Sequence, residues 1–315
     1  MMAGNVIVIA GPTASGKTAL SIALAKELGS EIVSADSMQV YRGMDIGTAK
    51  ATAAEQSEAA HHMLDVADPG EAYSAARYVD EAAACCEDIL ARGKLPIITG
   101  GTGLYIDSLL SGRSFAETED SRELREAIAR EYDERGGAAM LEKLRHIDPQ
   151  RAAILAAPDK RRIVRALEIY ALTGETATAH DEATRALPPR YSAARIVLCY
   201  ADRARQYAMI DSRVDKMVRD GLFDEVSRLL ADGVPPEATA MQAIGYKETA
   251  AALRGEITAH EAVTLIKQNS RRYAKRQLTW FRRWEGALWI RWDDEPDFLA
   301  ARQISTDFID RRGIS

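Results

Sequence analysis

Residues 5–10 (NVIVIA) form a short, β-branched apolar run that stops at Gly-Pro. Residues 18–28 (TALSIALAKEL) follow with apolar positions at helical spacing and stop at Gly29. Residues 31–35 (EIVSA) and 95–99 (LPIIT) predict two more strands, with a helical pattern between them. Strands alternating with helices predict an α/β fold, its parallel sheet covered on both faces. The runs are too apolar to leave one face in water. The texture changes after about residue 112. Residues 120–145 are charged, helical and broken at Gly136-Gly137. Asp148-Pro149 and Asp159 read as helix starts, and 160–173 (KRRIVRALEIYALT) as an amphipathic helix ending at Gly174. The strand pattern returns at 195–200 (RIVLCY) and 288–292 (LWIRW), with mostly helix over 203–283. The expected organisation is a core over 1–112 and 191–315, interrupted by a helical insertion domain over 113–190.

Composition narrows the class. The 315 residues are 47% hydrophobic and 28% charged, which excludes a mainly disordered or collagen-like chain. A net charge of −6 means that any nucleic-acid contact must come from a local basic patch. No apolar run approaches the ~18 residues of a spanning helix. The N-terminus runs straight into a structured motif without a basic leader, so a cytoplasmic protein with no membrane contact is expected. The three cysteines (85, 86, 199) have no metal spacing and imply no disulfide framework.

The motif is GPTASGKT at 11–18, a full G-x-x-x-x-G-K-[ST] between a strand and a helix. The fold class thereby becomes a P-loop-type parallel-sheet core. Such a loop converges backbone N–H groups on an anion at a helix N-terminus, while Lys17 reaches further phosphate oxygens and the Thr18 hydroxyl can hold Mg²⁺. The motif specifies a polyphosphate without saying which: ATP, GTP or a bare diphosphate group. Nucleotide binding is the commonest use, and a chance structural turn is the bland alternative. A second Gly-rich strand-to-helix turn, GGTG at 100–103, offers the Thr102 hydroxyl at the same carboxyl edge, where such sheets bind ligands. Its glycines could equally serve tight packing. Asp36, just past the second strand, is a candidate general base. On spacing alone, a helix cap or an indirect magnesium partner is as good a reading.

Residues 266–284 (IKQNSRRYAKRQLTWFRRW) carry seven Lys/Arg and no acid. At 100° per residue, Arg271, Arg272, Lys275, Arg276, Arg282 and Arg283 span an arc of roughly 140°. Tyr273, Trp280, Phe281 and Trp284 fall on another face, which reads as core-facing. Like charges repel at i,i+4, so the arc points to a polyanion partner over a merely solvated face. A smaller set, Lys160, Arg161, Arg162 and Arg165, is open between phosphate contact and a solvated face. His61-His62 reads as structural, because neighbours on a strand point to opposite faces. Cys85-Cys86 reads as packing.

Together, GPTASGKT (11–18), SADSMQVYRGMDIGTAK (34–50), HHMLDVADPGEAYSAARY (61–78), GGTGLY (100–105), RALEIYALTG (165–174), IDSRVDKM (210–217), AIGYKE (243–248) and RRYAKRQLTWFRRW (271–284) resemble the tRNA dimethylallyltransferase (isopentenyltransferase) family. The resemblance implies transfer of a dimethylallyl group from dimethylallyl diphosphate to the exocyclic amine of the adenosine beside the tRNA anticodon. Gly11, Thr13, Ala14, Ser15, Gly16, Lys17 and Thr18 then bind the diphosphate, with Mg²⁺ on Thr18. Asp36 is the general base, and Thr102 and Arg213 stabilise the leaving group. Asp36, Ser37, Met38 and Gln39, with Arg161, Arg162, Ile163, Val164 and Arg165 of the insertion, touch the anticodon stem-loop. The basic face adds Arg271, Arg272, Lys275 and Arg276. A monomer is the expected state. The sequence departs from the family at Ala51, where a Pro is usual, and at Ala156-Ala157-Pro158-Asp159, where His-Pro-Asn-Asp is frequent. Three other readings are a phosphate-loop kinase of small metabolites, a prenyltransferase acting on free adenylate, and a non-catalytic RNA-binding protein.

Overall fold

The computed structural model describes residues 4–112 and 121–314. The expected insertion boundary at 113 and the first three residues of the N-terminus lie outside them. The chain divides into two units, 1–110 with 190–315, and 111–189. The elements in chain order are β1 (Gly4–Ala10), α1 (Lys17–Leu28), β2 (Glu31–Ser34), α2 (Ala53–Glu58), β3 (His61–His62), α3 (Ala75–Ala91), β4 (Pro96–Gly100) and α4 (Gly103–Ser111). In the second unit come α5 (Ser121–Arg135), α6 (Gly137–Ile147), α7 (Pro149–Ala153), α8 (Lys160–Thr173) and α9 (Ala177–Ala186). The first unit resumes with β5 (Tyr191–Tyr200), α10 (Arg203–Arg219), α11 (Leu222–Ala231), α12 (Tyr246–Leu253), α13 (Ala259–Phe281), β6 (Leu288–Trp292) and α14 (Phe298–Arg311). No helix among the described residues is long and apolar enough to cross a membrane.

The strands pair in the order β3-β2-β4-β1-β5-β6, and every pairing is parallel. Right-handed crossovers then fix the layers. The chain steps from β1 to β2 in one direction and from β3 to β4 in the other, so α1 and α3 cover opposite faces. Ile7, Ile9, Ile97, Ile196 and Leu198 pack with Leu20 and Leu24 of α1 and Ile309 of α14. Burial on both faces is why β1 reads as an unbroken apolar run rather than an alternation.

This order brings three strand ends side by side. Ala10 pairs with Gly100, and Ser34 with Thr99, so β1, β4 and β2 finish level with one another. Just beyond them, the β4 turn and β2 nearly touch. A Cβ on Gly100 would sit 2.1 Å from the Ala35 carbonyl oxygen, so no other residue fits there. The Thr102 N–H donates to that same carbonyl at 3.1 Å. Beyond β2, Glu225 ties down the turn at 45–47. Its buried carboxylate accepts from the N–H groups of Asp45, Ile46 and Gly47 at 2.8–3.0 Å and from the Tyr246 hydroxyl at 2.6 Å. Lys50 is buried between Asp45 and Asp65, each at 2.6 Å.

The second unit is helical and has its own core of Ile128, Met140, Leu144, Ala152, Ile163, Val164 and Leu167. Asp148 starts α7, accepting from Arg151 N at 3.0 Å, and also takes the Thr178 N–H and hydroxyl. Glu168 is fully buried and held by Arg125 and Arg165, each at 2.9 Å.

Candidate active site

The phosphate loop leaves β1 at Gly11, where a Cβ would stand 2.3 Å from the Leu198 carbonyl oxygen of β5. It enters α1 through Gly16, in the left-handed region, with no side chain capping the helix. The first N–H groups of α1 therefore remain available to an anion, and the helix end adds partial positive charge. Ala14 also takes a positive φ of 61°, which curls the loop backbone into a concave nest.

Three side chains from distant parts of the chain set the shape of this loop. The Gln277 Oε1 of α13 accepts from Thr13 N at 3.0 Å, and Gln206 of α10 donates to Thr13 O at 3.0 Å. Trp292 of β6 donates to Ser15 O at 3.0 Å. The Thr13 N–H is thus already satisfied. The Ser15 hydroxyl turns inward to Pro12 O at 2.9 Å and is buried. These two groups shape the loop. Gly11, Ala14 and Gly16 supply its curvature, and half-buried Lys17 and Thr18 open the helix.

Lys17 Nζ donates to Pro12 O at 2.8 Å. Burial, then the nearby Arg213 charge, push its ammonium down to about 7, against an opposing pull from Asp36. Arg213 is pulled down by burial and held up by the same Asp36. Lys17, expected to grip the diphosphate, therefore shares one electrostatic site with Asp36 and Arg213, two of the residues expected to be catalytic. Among the described residues, Arg213 makes one long hydrogen bond, Nη2 to Thr48 O at 3.5 Å, and its buried Nε has no partner. It has no ion-pair partner among the described residues, so two half-buried cations face one carboxylate. Such an arrangement is costly until an anion enters.

Asp36 Oδ1 accepts from Met38 N at 2.9 Å, which fixes the carboxylate beside β2. The Thr102 hydroxyl oxygen accepts from Ser37 N at 3.1 Å and lies 3.4 Å from the Ser37 hydroxyl, linking the GGTG turn to the Asp36 loop. Tyr273, which the helical pattern assigns to the core, faces the site instead. Burial, then Asp36, raise its phenol to about 12, and Thr102 and Gln277 contact its hydroxyl. Tyr105 is raised as well, chiefly by burial, with Tyr41, Asp36 and Tyr273 adding to the effect.

The residues expected to touch RNA divide by exposure. Arg161 and Arg162 of the second unit are exposed. Ile163 and Val164 are not available: helical periodicity turns them into that unit's core, at 0% and 5% exposure. Arg165 is engaged with Glu168. On α13, Arg272, Lys275 and Arg276 are exposed, whereas Arg271 forms a two-oxygen ion pair with Asp211 at 2.6 and 2.7 Å. The Gln39 amide is fully used, taking Ser34 Oγ and donating to Thr48 O and Ala49 O. Ser37 and Met38 are half-buried. His62 pairs with Glu31 at 2.8 Å, at the opposite end of β2 from Asp36. Trp280 and Trp284 both donate to Asp107, at 2.7 and 2.8 Å, which docks the end of the basic helix on α4.

Similarity to known proteins agrees with this geometry. Residues 39–284 match the family model described as IPP transferase, and 4–68 match that described as isopentenyl transferase. The tRNA dimethylallyltransferase of Thermoanaerobacter sp. (strain X514) is 43% identical over 298 residues, 94% of this chain and 95% of that protein. That of Symbiobacterium thermophilum is 47% identical over 284 residues, 90% and 88% of the two chains. The crystal structure of a full-length tRNA isopentenylpyrophosphate transferase from Bacillus halodurans superposes with a TM-score of 0.72 at 40% identity, covering 98% of each chain. A eukaryotic dimethylallyltransferase acting on tRNA reaches a TM-score of 0.82 at 29% identity, over 99% of this chain and 81% of that one. A family model spanning most of the chain, relatives above 40% identity along nearly all of it and the same fold place this protein in the tRNA dimethylallyltransferase (IPP transferase) family.

Proposed function

We propose that the protein transfers a dimethylallyl group from dimethylallyl diphosphate to the exocyclic amine of the adenosine beside the tRNA anticodon, releasing diphosphate. The observation that carries this reading is the shared electrostatic site of Lys17, Arg213 and Asp36 beside the phosphate loop. Two cations and a nest of N–H groups suit a departing diphosphate. A carboxylate beside them suits a proton that must leave an amine.

The amine nitrogen attacks the first carbon of the allyl group, and the bond from that carbon to the diphosphate oxygen breaks. The electron pair of that bond leaves with diphosphate. The proton lost by the amine passes to the Asp36 carboxylate, a role that contributes ~10²–10⁴-fold in rate. Lys17, Arg213 and the α1 N-terminus meet the charge that grows on the leaving group; each such donor contributes ~10²–10³-fold. Thr102 is tied to Ser37, the residue after Asp36. The adenine must leave its stack to reach Asp36.

Magnesium fits the donor set. No cluster of three His, Cys, Asp or Glu among the described residues would cage a metal. An ion bound mainly through phosphate oxygens and water needs no cage, and the Thr18 hydroxyl is the protein donor it would use. Bound there, Mg²⁺ would neutralise further charge on the leaving diphosphate. The tRNA backbone is assigned to Arg161, Arg162, Arg272, Lys275 and Arg276. A single chain in the cytoplasm is the proposed working form.

Incubation with unmodified tRNA and radiolabelled dimethylallyl diphosphate tests the proposal. Mg²⁺-dependent label in tRNA is the expected result. Label on free AMP with none on tRNA would favour an adenylate prenyltransferase, and ATP turnover without transfer would favour a kinase.

A further inference from the structure

We propose that Gln277 is a positioning residue that locks the phosphate loop to the Thr102 turn, an inference that rests on the prenyl-transfer reading. Its amide is held at both ends and also meets the Tyr273 hydroxyl. Oε1 accepts from Thr13 N at 3.0 Å, and Nε2 donates to Gly101 O at 3.0 Å. The side chain is only 5% exposed, so neither partner has water as a ready substitute. Gly101 is what admits the amide, since a Cβ there would lie 2.2 Å from Nε2. The orientation of the amide is therefore settled by chemistry: its carbonyl faces an N–H, and its NH₂ faces a carbonyl.

The two segments joined in this way carry different duties. The loop holds the diphosphate, and the turn holds Thr102, which reaches Ser37 next to Asp36. Gln277 is thus the bridge between the half of the site that grips the leaving group and the half that takes the proton. Gln206 secures Thr13 from the other side: it donates to Thr13 O at 3.0 Å and accepts from Tyr200 N at 3.3 Å. With both amides in place, the Thr13 residue is fixed at its N–H and at its carbonyl. Loss of one bond would let the loop drift relative to Asp36, and a misplacement of about 1 Å costs on the order of 10²-fold in rate.

The geometry demands one acceptor and one donor from the same small group. Leucine supplies neither. An ionised glutamate supplies only acceptors and would repel Gly101 O. A protonated glutamate supplies both, because its carbonyl can accept while its O–H donates. Burial raises a carboxyl pKa, which brings that protonation into a workable range.

The test compares Gln277→Leu and Gln277→Glu with the wild-type enzyme, measuring kcat/KM for dimethylallyl diphosphate and Kd for tRNA between about pH 6 and pH 8. Gln277→Leu should lose ~10²-fold in kcat/KM at every pH while its tRNA affinity is unchanged. Gln277→Glu should show a similar loss at pH 8, and its ratio to wild type should rise as the pH falls. Wild-type kcat/KM in Gln277→Leu, a pH-independent ratio for Gln277→Glu, or an equal loss of tRNA affinity would overturn the proposal. Should Gln277→Leu fail to fold, the Gln277→Glu ratio decides alone. Should wild-type protein transfer no prenyl group, the functional reading fails. The clamp is then read from the affinity for labelled pyrophosphate relative to wild type at each pH, which it predicts to be weaker in Gln277→Leu and to recover at low pH in Gln277→Glu.

Discussion

Arg213 stands close enough to Lys17 for its charge to depress the Lys17 ammonium, although the two lie on helices nearly two hundred residues apart. Like charges are kept together here without enough anion to balance them, because Asp36 is the acid acting on both. The arrangement makes sense for a site built to receive a diphosphate, and it aims fixed charge at the place where negative charge grows during transfer.

The pH dependence of binding follows from Lys17. With a pKa of about 7 in the free protein, Lys17 is charged mainly below pH 7 and loses its proton as the pH rises through that value. A bound diphosphate favours the charged form and raises the pKa. Affinity for diphosphate should therefore fall between about pH 6 and pH 8, and binding at pH 8 should take up a proton at Lys17. Calorimetry in buffers of different ionisation heat measures that uptake. Lys17→Met should lack it, and identical uptake in the two proteins would contradict the assignment.

Arg213 should show opposite effects on stability and on rate. Its buried Nε finds no partner among the described residues, and an unmatched buried donor costs stability in the ligand-free fold. Arg213→Met should raise the Tm of the free protein and lower the transfer rate by ~10²–10³-fold. Thermal melts and single-turnover kinetics on the same preparation check both halves.

Among the described residues, the basic face of α13 divides into exposed residues without an ion pair and residues engaged in one. Replacing Arg272, Lys275 and Arg276 with Ala should weaken tRNA binding. The slope of log Kd against log salt should also fall, by about one for each phosphate that is no longer neutralised. Arg271→Ala breaks the pair with Asp211 and should leave that slope unchanged. Filter-binding titrations over a salt series distinguish the two.

Much of this was legible in the sequence, because it rests on local patterns. The apolar run into GPTASGKT marks β1 and its loop, and Asp36 and GGTG each follow a strand. Parallel topology then carries all three to one edge. Sequence numbers alone do not expose side-chain packing. Gln277 lies 264 residues from Thr13, and no local motif announces such a bond. One signal was present: at 100° per residue, Gln277 falls at ~240° from Arg271, inside the aromatic sector, where a polar amide has no reason to sit unless it is bonded. Ile163 and Val164 show the converse case, their side chains buried. The family resemblance points a contiguous stretch, 161–165, at RNA, but a helix presents only some of five successive residues to one side. Arg271 shares the angular arc of its basic neighbours, yet Asp211 on α10 claims it.

The most direct test of the central claim is the single-turnover rate of Asp36→Asn, measured beside its tRNA and diphosphate affinities. Asparagine keeps an oxygen for the Met38 N–H, which Asp36 now accepts at 2.9 Å, so the loop should survive. The predicted result is a transfer rate lower by ~10²–10⁴-fold with tRNA binding intact. Transfer at the wild-type rate would show that the proton leaves by another route and would remove Asp36 from the chemistry.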